Sequence, residues 1–188
     1  MKIPFEKIEF LFKNKKRGII RMDYEEAKFL YDSVDALDNP ECVEIGRYQG
    51  GSTILMSSAG GRIFSVDAHV FKHESGVFGG RLDDYLGIVL HLLGIKDRVM
   101  MVVADSQNYN TANLKEKVDL IFIDGDHTYE GVKKDYYNWI KTVKPGGYVL
   151  FHDAGKTKNV ADVRRFIKEI PLKYVGEVGS TVKFRKEK

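Results

Sequence analysis

The stretch Val43-Glu-Ile-Gly-Arg-Tyr-Gln-Gly-Gly-Ser52 decides the fold that this sequence predicts. It begins with alternating apolar residues, which indicate a buried strand, and continues into a glycine-rich turn and the start of a helix. We expect Ser52 to cap that helix. Three glycines let the backbone turn tightly and approach a ligand closely: Gly46, Gly50 and Gly51. This order of elements predicts a cofactor cradle at the carboxyl end of a parallel strand.

The spacing of the glycines separates this loop from the dinucleotide-binding fingerprint. They fall as G-x-x-x-G-G and not as G-x-G-x-x-G. Glu44 precedes the first glycine by two residues, where its carboxylate would repel a pyrophosphate and attract an ammonium group. The loop therefore favours a cofactor with an amino-acid group, and an NAD-dependent oxidoreductase is the weakest hypothesis. A strand-to-helix turn without any ligand is the alternative interpretation.

Length and composition limit the classes of function. The chain has 188 residues, of which 43% are hydrophobic and 30% charged, as expected for one soluble globular domain. The net charge of +3 is modest, and the basic residues gather near the ends, at 13–17 and 183–188, which argues against a nucleic-acid partner. Cys42 is the single cysteine, so an internal disulfide is excluded and a reducing, cytoplasmic location is favoured. No apolar run reaches about 18 residues, so we expect no membrane segment.

Strands alternate with helices along the rest of the chain. Beyond the first strand, the sequence predicts strands at 62–66, 99–103, 119–123, 148–151, 173–177 and 181–185. The first helix is expected after an N-cap at Asp23, with Glu26 at the capping-box position. Further helices are expected from Asp83 or Asp84 to Leu93, over 132–143 with Lys144-Pro-Gly-Gly147 as the terminator, and over 161–170. This alternation predicts a doubly wound α/β sheet.

The predicted domain organisation is simple. Residues 1–22 are expected to form an N-terminal helical extension, and residues 23–188 a single domain. The extension is amphipathic and could cover the active site or suit the seam of a homodimer. Residues 70–81 are expected to be irregular.

Four consecutive predicted strands end at acidic residues. These are Asp67, Asp105, Asp124 and the pair His152-Asp153. The carboxyl ends of the strands form the ligand crevice of an open α/β sheet, so we expect these side chains to meet at one site.

Two of these strand ends suit an adenosine. Asp67 can accept hydrogen bonds from both ribose hydroxyls, as an acid about 20 residues past the glycine loop does in the dinucleotide fold. Ala68 and His69 would lie near the adenine. Asp105 and Ser106 can accept from an exocyclic amine and donate to a ring nitrogen. Together with the preference for an ammonium group, this pattern predicts S-adenosyl-L-methionine as the cofactor.

The other strand ends suit a metal and a base. Asp124, His152 and Asp153 could supply three ligands to one divalent cation, Mg²⁺ or Mn²⁺, with the histidine favouring Mn²⁺, Fe²⁺ or Zn²⁺. Such an ion would hold a substrate oxygen and lower its pKa. His127 lies three residues beyond Asp124 and is the natural general base. The alternative interpretation makes His127 and Thr128 caps of the next helix and His152 a core histidine.

These segments resemble the class I S-adenosylmethionine-dependent methyltransferases. Within that class they are similar to the branch of macrolide-sugar O-methyltransferases and cephalosporin-hydroxylase-like proteins, related to catechol O-methyltransferase. The matching motifs cover about residues 40–155: V-E-I-G-R-Y-Q-G-G-S-T, S-V-D-A-H, A-D-S, D-L-I-F-I-D-G-D-H-T-Y-E-G-V-K-K-D and K-P-G-G-Y-V-L-F-H-D.

The resemblance implies a Rossmann-like sheet of seven strands, mostly parallel, with an antiparallel C-terminal strand. It implies that the glycine loop holds the methionine part, Asp67 the ribose and Asp105-Ser106 the adenine. The residues expected to bind the cofactor are Glu44, Gly46, Arg47, Gly50, Gly51, Ser52, Asp67, Ala68, His69, Asp105, Ser106 and Asp124.

In metal-dependent relatives an aspartate ends the fourth strand and an acidic pair ends the fifth. Asp124 and Asp153 match those positions, His152 replaces the first acid of the pair, and His127 matches the general base. The resemblance therefore implies an O-methyltransferase acting on a small hydroxylated molecule. A non-catalytic cofactor-binding or sensor module and an RNA or protein methyltransferase are the alternatives, and the last would need a basic face around the crevice.

Overall fold

A seven-stranded sheet forms the centre of the fold in a computed structural model that describes residues 2–12, 19–68, 79–114, 116–155 and 161–187. The strand order is β3-β2-β1-β4-β5-β7-β6. The strands are β1 (Glu41–Ile45), β2 (Arg62–Asp67), β3 (Val99–Val103), β4 (Val118–Ile123), β5 (Val143–Phe151), β6 (Lys173–Val178) and β7 (Thr181–Arg185). Strands β1 to β5 pair in parallel, whereas β7 is antiparallel to both β5 and β6. The predicted doubly wound sheet with an antiparallel C-terminal strand is confirmed.

Helices cover both faces of the sheet. They are α1 (Tyr24–Asp35), α2 (Gly51–Ser58), α3 (Gly79–Leu92), α4 (Tyr129–Trp139) and α5 (Ala161–Phe166). Short 3-10 helices span Phe5–Leu11, Lys96–Arg98, Thr111–Asn113 and Ile140–Thr142. In the part of the chain that the structure describes, no helix combines the length and the apolar character needed to cross a membrane.

The alternation of side chains along the central strands divides the core into two layers. In β4, Leu120 and Phe122 pack with α1, α2 and α3, whereas Ile121 and Ile123 pack with α4 and α5 on the opposite face. All four side chains are almost fully buried. This burial on both faces explains why the sequence of β4 is nearly continuous in apolar residues.

The N-terminal segment belongs to the first of these layers. The 3-10 helix Phe5–Leu11 buries Phe5, Ile8 and Leu11 in the same cluster as residues of α1 and α2. The ring of Phe5 makes edge contacts with Tyr24 and Tyr31 of α1. The described part of the segment is thus packed on the sheet domain.

Several helix boundaries differ from the prediction. The cap of α2 is Gly50, in the left-handed region at φ +80°, and not Ser52, whose hydroxyl donates to Glu44. Helix α3 already begins at Gly79, and α5 ends at Phe166. The capping box of α1 is confirmed, because the Asp23 amide donates to the Glu26 carboxylate at 2.9 Å.

The segment Lys144-Pro-Gly-Gly147 was predicted to end a helix, but it lies inside β5. Val143 already pairs with Val118 of β4, and the register shifts before Tyr148 pairs with Leu120. Gly146 takes the left-handed region at φ +82°, so the strand accommodates the two glycines as an irregularity.

Candidate functional site

A cavity of about 520 Å³ opens at the carboxyl edge of the sheet. Residues from the glycine loop, from the ends of β2, β3 and β4, and from the segment before α1 line it. They are Ile19, Ile20, Arg21, Met22, Gly46, Arg47, Tyr48, Gln49, Gly51, Ser52, Asp67, Ala68, Asp105, Ser106, Gln107, Asp124, Gly125 and Asp126. Three of the four strand ends that the sequence predicted to meet, those at Asp67, Asp105 and Asp124, therefore line one cavity. His152 and Asp153, at the fourth, lie beside Asp124 but are not among the lining residues.

The end of β2 fixes the glycine loop. One carboxylate oxygen of Asp67, Oδ2, accepts hydrogen bonds from the backbone amides of Arg47 and Tyr48 at 2.7 and 2.9 Å. Asp67 also lines the cavity, so it holds the loop in place and faces the ligand space. The Arg47 guanidinium is buried and donates to the Ser65 carbonyl at 2.9 Å, so it anchors the loop to β2.

Gly46 is required by the packing of two loops. Its φ is +89°, and a Cβ there would overlap the carbonyl oxygen of Asp124. Gly46 also lines the cavity, so this packing is a reason for glycine in addition to the predicted close approach of a ligand. The absence of a side chain lets the loop after β4 lie against the loop after β1.

The Glu44 carboxylate lies beneath the cavity. It is fully buried and accepts hydrogen bonds from Ser52, Thr53 and Ser65, each at 2.5 Å. Burial raises the pKa of Glu44, and the three hydroxyls oppose that rise. One hydroxyl donates to Oε1 and two donate to Oε2, and Glu44 is not among the residues that line the cavity. Gly50 is likewise absent from the lining.

The loop after β3 is the predicted adenine site. Asp105 accepts from the Gln107 amide at 2.9 Å and from the Asn108 side chain at 2.6 Å. The Ser106 hydroxyl donates to Asp135 of α4 at 2.6 Å. The expected donation from Ser106 to a ring nitrogen is therefore not available, since its proton already has a partner.

The ends of β4 and β5 bring the three predicted metal ligands together. Nδ1 of His152 lies 3.0 Å from Oδ1 of Asp124 and 3.7 Å from Oδ2 of Asp153. One ligand atom from each residue lies within 4.8 Å of the others. A divalent cation with bonds of about 2.1 Å separates neighbouring ligand atoms by about 3.0 to 3.4 Å, so this donor set fits such an ion.

A second carboxylate stands behind His152. Oε2 of Glu26 lies 3.5 Å from Nε2 of His152, and both side chains are buried. Oε1 of Glu26 accepts from the amide and the hydroxyl of Ser180, in the turn between β6 and β7. Burial alone would raise the pKa of Glu26, but these hydrogen bonds outweigh it and hold the pKa at about 2. Histidine ligands of metals commonly donate their other ring N–H to such a carboxylate.

His127 lies at the mouth of this cluster and is 44% exposed. Its Nε2 is 3.4 Å from Oδ1 of Asp124 and 3.4 Å from Oδ2 of Asp153. The contact with Asp124 raises the pKa of His127, against the opposing effect of burial. The cap of α4 is Thr128, whose hydroxyl accepts from the Gly131 amide at 3.1 Å, so His127 does not serve as the helix cap.

Residues 43–154 match a family described as a methyltransferase domain. The match covers more than half of the chain and includes the glycine loop and the strand ends that line the cavity. The chain belongs to this methyltransferase family.

Solved structures of methyltransferases have the same fold. Cofactor-bound Rv0187 from MTB is 20% identical with a TM-score of 0.67, and the match covers 90% of this chain and 83% of that one. An S-adenosylmethionine-dependent O-methyltransferase from Thermotoga maritima is 17% identical with a TM-score of 0.67, covering 98% and 72%. An O-methyltransferase from Bacillus cereus, solved in complex with SAH, is 22% identical with a TM-score of 0.61, covering 88% and 82%. The sheet is that of the class I methyltransferases.

Two curated relatives match short stretches of the methyltransferase. Uncharacterized protein y4gI of Sinorhizobium fredii is 53% identical over 36 residues, which are 19% of this chain and 4% of that protein. Uncharacterized protein R132 of Acanthamoeba polyphaga mimivirus is 45% identical over 40 residues, which are 21% of this chain and 18% of that protein. The aligned stretches thus span less than a fifth of either relative.

The segment before α1 forms one wall of the cavity in the methyltransferase, and the sequence had indicated that residues 1–22 could cover the active site. Residues 19–22 line the cavity, and Nη2 of Arg21 donates to the Tyr48 hydroxyl at 3.3 Å. A Cβ on Gly51 would overlap Ile20, so the segment lies directly on the start of α2. The amphipathic character of residues 1–22 was the signal for this covering role. His69, most of 70–81 and the basic run 13–17 lie outside the described residues.

Proposed function

We propose that the chain is an S-adenosylmethionine-dependent O-methyltransferase that acts on a small hydroxylated molecule. One observation carries this proposal. Asp124 lies both in the lining of the cavity and within 3.4 Å of His127, so the ligand space and a candidate proton acceptor adjoin one another. Membership of the methyltransferase family supports the proposal that the group transferred is a methyl group.

The cavity can hold the cofactor along its length. Asp67 would accept from the ribose hydroxyls, and the loop after β3 would contact the adenine. The methionine part would lie over the glycine loop and the start of α2, where backbone amides favour a carboxylate. The sulfonium methyl would then point toward Asp124, at the end of β4.

His127 is the base of the proposed reaction. A substrate hydroxyl oxygen attacks the methyl group in line, the new O–CH₃ bond forms as the S–CH₃ bond breaks, and the electron pair remains on sulfur as S-adenosylhomocysteine is released. The hydroxyl proton goes to Nε2 of His127. The two carboxylates beside this ring would stabilise the imidazolium that results, since opposite charges favour the charged form. Holding the substrate oxygen in line with the methyl group would supply much of the rate enhancement.

Asp124, His152 and Asp153 would hold a divalent cation, with Glu26 orienting His152 through its other ring nitrogen. When bound, such an ion supplies Lewis-acid chemistry that lowers the pKa of a coordinated hydroxyl. The chain's own contribution is to fix these three side chains at the edge of the cavity. Asp153 is held in the left-handed region at φ +51°, which turns its carboxylate toward Asp124 and His127.

The test of this proposal is methyl transfer itself. The protein is incubated with S-adenosylmethionine and a panel of catechols, flavonoids and sugars, with and without Mg²⁺ or Mn²⁺, and release of S-adenosylhomocysteine is measured. We expect His127→Ala to lower the rate by about 10²- to 10⁴-fold and to leave cofactor affinity unchanged. His91→Ala, on the exposed face of α3, is the matched control and should keep full activity. Cofactor binding without turnover on any substrate would favour the sensor module instead.

A further inference from the structure

Three side chains on one face of α4 hold a single residue of the adenine loop. Asp135 accepts from the Ser106 hydroxyl at 2.6 Å, while Asn138 and Trp139 donate to the Ser106 carbonyl at 2.8 and 2.9 Å. The spacing of 135, 138 and 139 places them on the same side of the helix. Both ends of Ser106, its hydroxyl and its carbonyl, are thereby fixed from below the cavity.

The direction of the hydrogen bond from the Ser106 hydroxyl to Asp135 has a chemical consequence. A serine hydroxyl has one proton and two lone pairs. Because Asp135 takes the proton, any further hydrogen bond that the Ser106 hydroxyl makes is one that it accepts. Its neighbour Asp105 also offers a carboxylate acceptor at the cavity wall. The adenine loop is therefore an acceptor-rich surface.

We propose that Asp135 is a positioning residue that makes Ser106 a hydrogen-bond acceptor and thereby selects a purine with a 6-amino group over one with a 6-oxo group. This inference rests on the proposed binding of S-adenosylmethionine in the cavity. The exocyclic amine of adenine offers two N–H donors to such a surface. A 6-oxo group offers only lone pairs, so it would face acceptors and lose those bonds.

The surroundings of Asp135 support its role as a hydrogen-bond acceptor that is fixed in place. The side chain is buried, and among the described residues its Oδ2 has no hydrogen-bond partner. A Cβ on Gly125, which lines the cavity, would lie 3.4 Å from that oxygen, so Asp135 sits directly under the cavity floor. Burial raises the pKa of Asp135 to about 6. Above that pH the carboxylate is ionised and can only accept.

The experiment compares two probes, S-adenosylhomocysteine and its deaminated analogue S-inosylhomocysteine, by calorimetry at pH 8. For the natural protein we expect the inosyl compound to bind about 10- to 100-fold more weakly, the range of one or two hydrogen bonds to charged or fixed acceptors. Asp135→Leu frees the Ser106 proton, so the hydroxyl can donate to the 6-oxo oxygen. The ratio of the affinity for S-adenosylhomocysteine to the affinity for S-inosylhomocysteine should then fall about tenfold.

Two further variants separate positioning from general damage. Ser106→Ala should lower the ratio by a similar factor, and the double variant should lower it no further, because Asp135 acts only through Ser106. Asn138→Ala removes a carbonyl contact of the same loop and should weaken both probes equally, leaving the ratio unchanged. If Asp135→Leu fails to fold, the ratio of Ser106→Ala carries the test.

The inference is overturned if Asp135→Leu keeps the affinity ratio of the natural protein or, where that variant does not fold, if Ser106→Ala keeps it. Equal affinities of the two probes for the natural protein would also overturn it. If the natural protein binds neither probe, the proposed function itself fails, which is a distinguishable outcome.

Discussion

Nε2 of His152 lies 3.5 Å from Oε2 of Glu26, although 126 residues separate the two in the sequence. The sequence predicted Glu26 only as the N3 residue of the capping box at the start of α1. In the fold it joins α1, the end of β5 and the turn between β6 and β7. Helix α1 is thereby tied to the site at the carboxyl edge of the sheet.

Replacing Glu26 should destabilise the fold. We expect Glu26→Ala to lower the free energy of unfolding at pH 7 by about 3 to 5 kcal/mol, because it leaves buried partners of a carboxylate uncompensated. Urea denaturation measures this. Glu25→Ala, an exposed neighbour on α1, should change it by no more than about 0.5 kcal/mol. Equal effects of the two substitutions would contradict the role given to Glu26.

Gly46 and Gly87 should respond in opposite ways to the same substitution. Gly46→Ala places a Cβ against the Asp124 backbone in a left-handed conformation, so we expect a loss of more than about 2 kcal/mol in stability. Gly87 lies in α3 with nothing within 4 Å of an added Cβ, and Gly87→Ala should stabilise by up to about 1 kcal/mol. Thermal unfolding of both variants checks the pair. A neutral Gly46→Ala would show that the two loops are not in contact.

Asp135 gives a pH-dependent prediction for stability. Burial, with smaller effects from Asp126 and Asp105, raises its pKa from 3.8 to about 6. The folded state therefore holds this proton more tightly than the unfolded state, so the group costs stability as the pH rises from about 4 to 6, and the cost is constant above that. Asp135→Asn removes the ionisation.

We expect Asp135→Asn to match the natural protein near pH 4 and to be up to about 3 kcal/mol more stable at pH 7, since one pKa unit corresponds to about 1.4 kcal/mol. Urea denaturation across this pH range measures the difference. A difference that does not change between pH 4 and 7 would show that Asp135 titrates normally.

The sheet could be predicted from the sequence because its signals are local. The apolar run at 119–123 and the acids that end β2, β3 and β4 are each readable within a few residues. The coming together of these strand ends follows from the parallel connection rule and is confirmed.

The contacts that failed prediction join distant parts of the chain. Ser52 and Glu44 meet only once β1 and α2 are packed, so the hydroxyl serves the carboxylate and not the helix cap. The bond from Ser106 to Asp135 crosses 29 residues. Asp135 closes the quoted motif D-L-I-F-I-D-G-D-H-T-Y-E-G-V-K-K-D, but no local pattern pairs it with a serine on another loop.

Calorimetric titration of S-adenosylhomocysteine tests the central claim most directly, in the natural protein and in Asp67→Ala. We predict one site of micromolar affinity and a loss of at least about 100-fold in the variant, because Asp67 both faces the ligand space and holds the amides of Arg47 and Tyr48. Asp97→Ala, an exposed acid outside the cavity, should bind as the natural protein does. No binding by the natural protein at millimolar ligand, or undiminished binding by Asp67→Ala, would contradict the account.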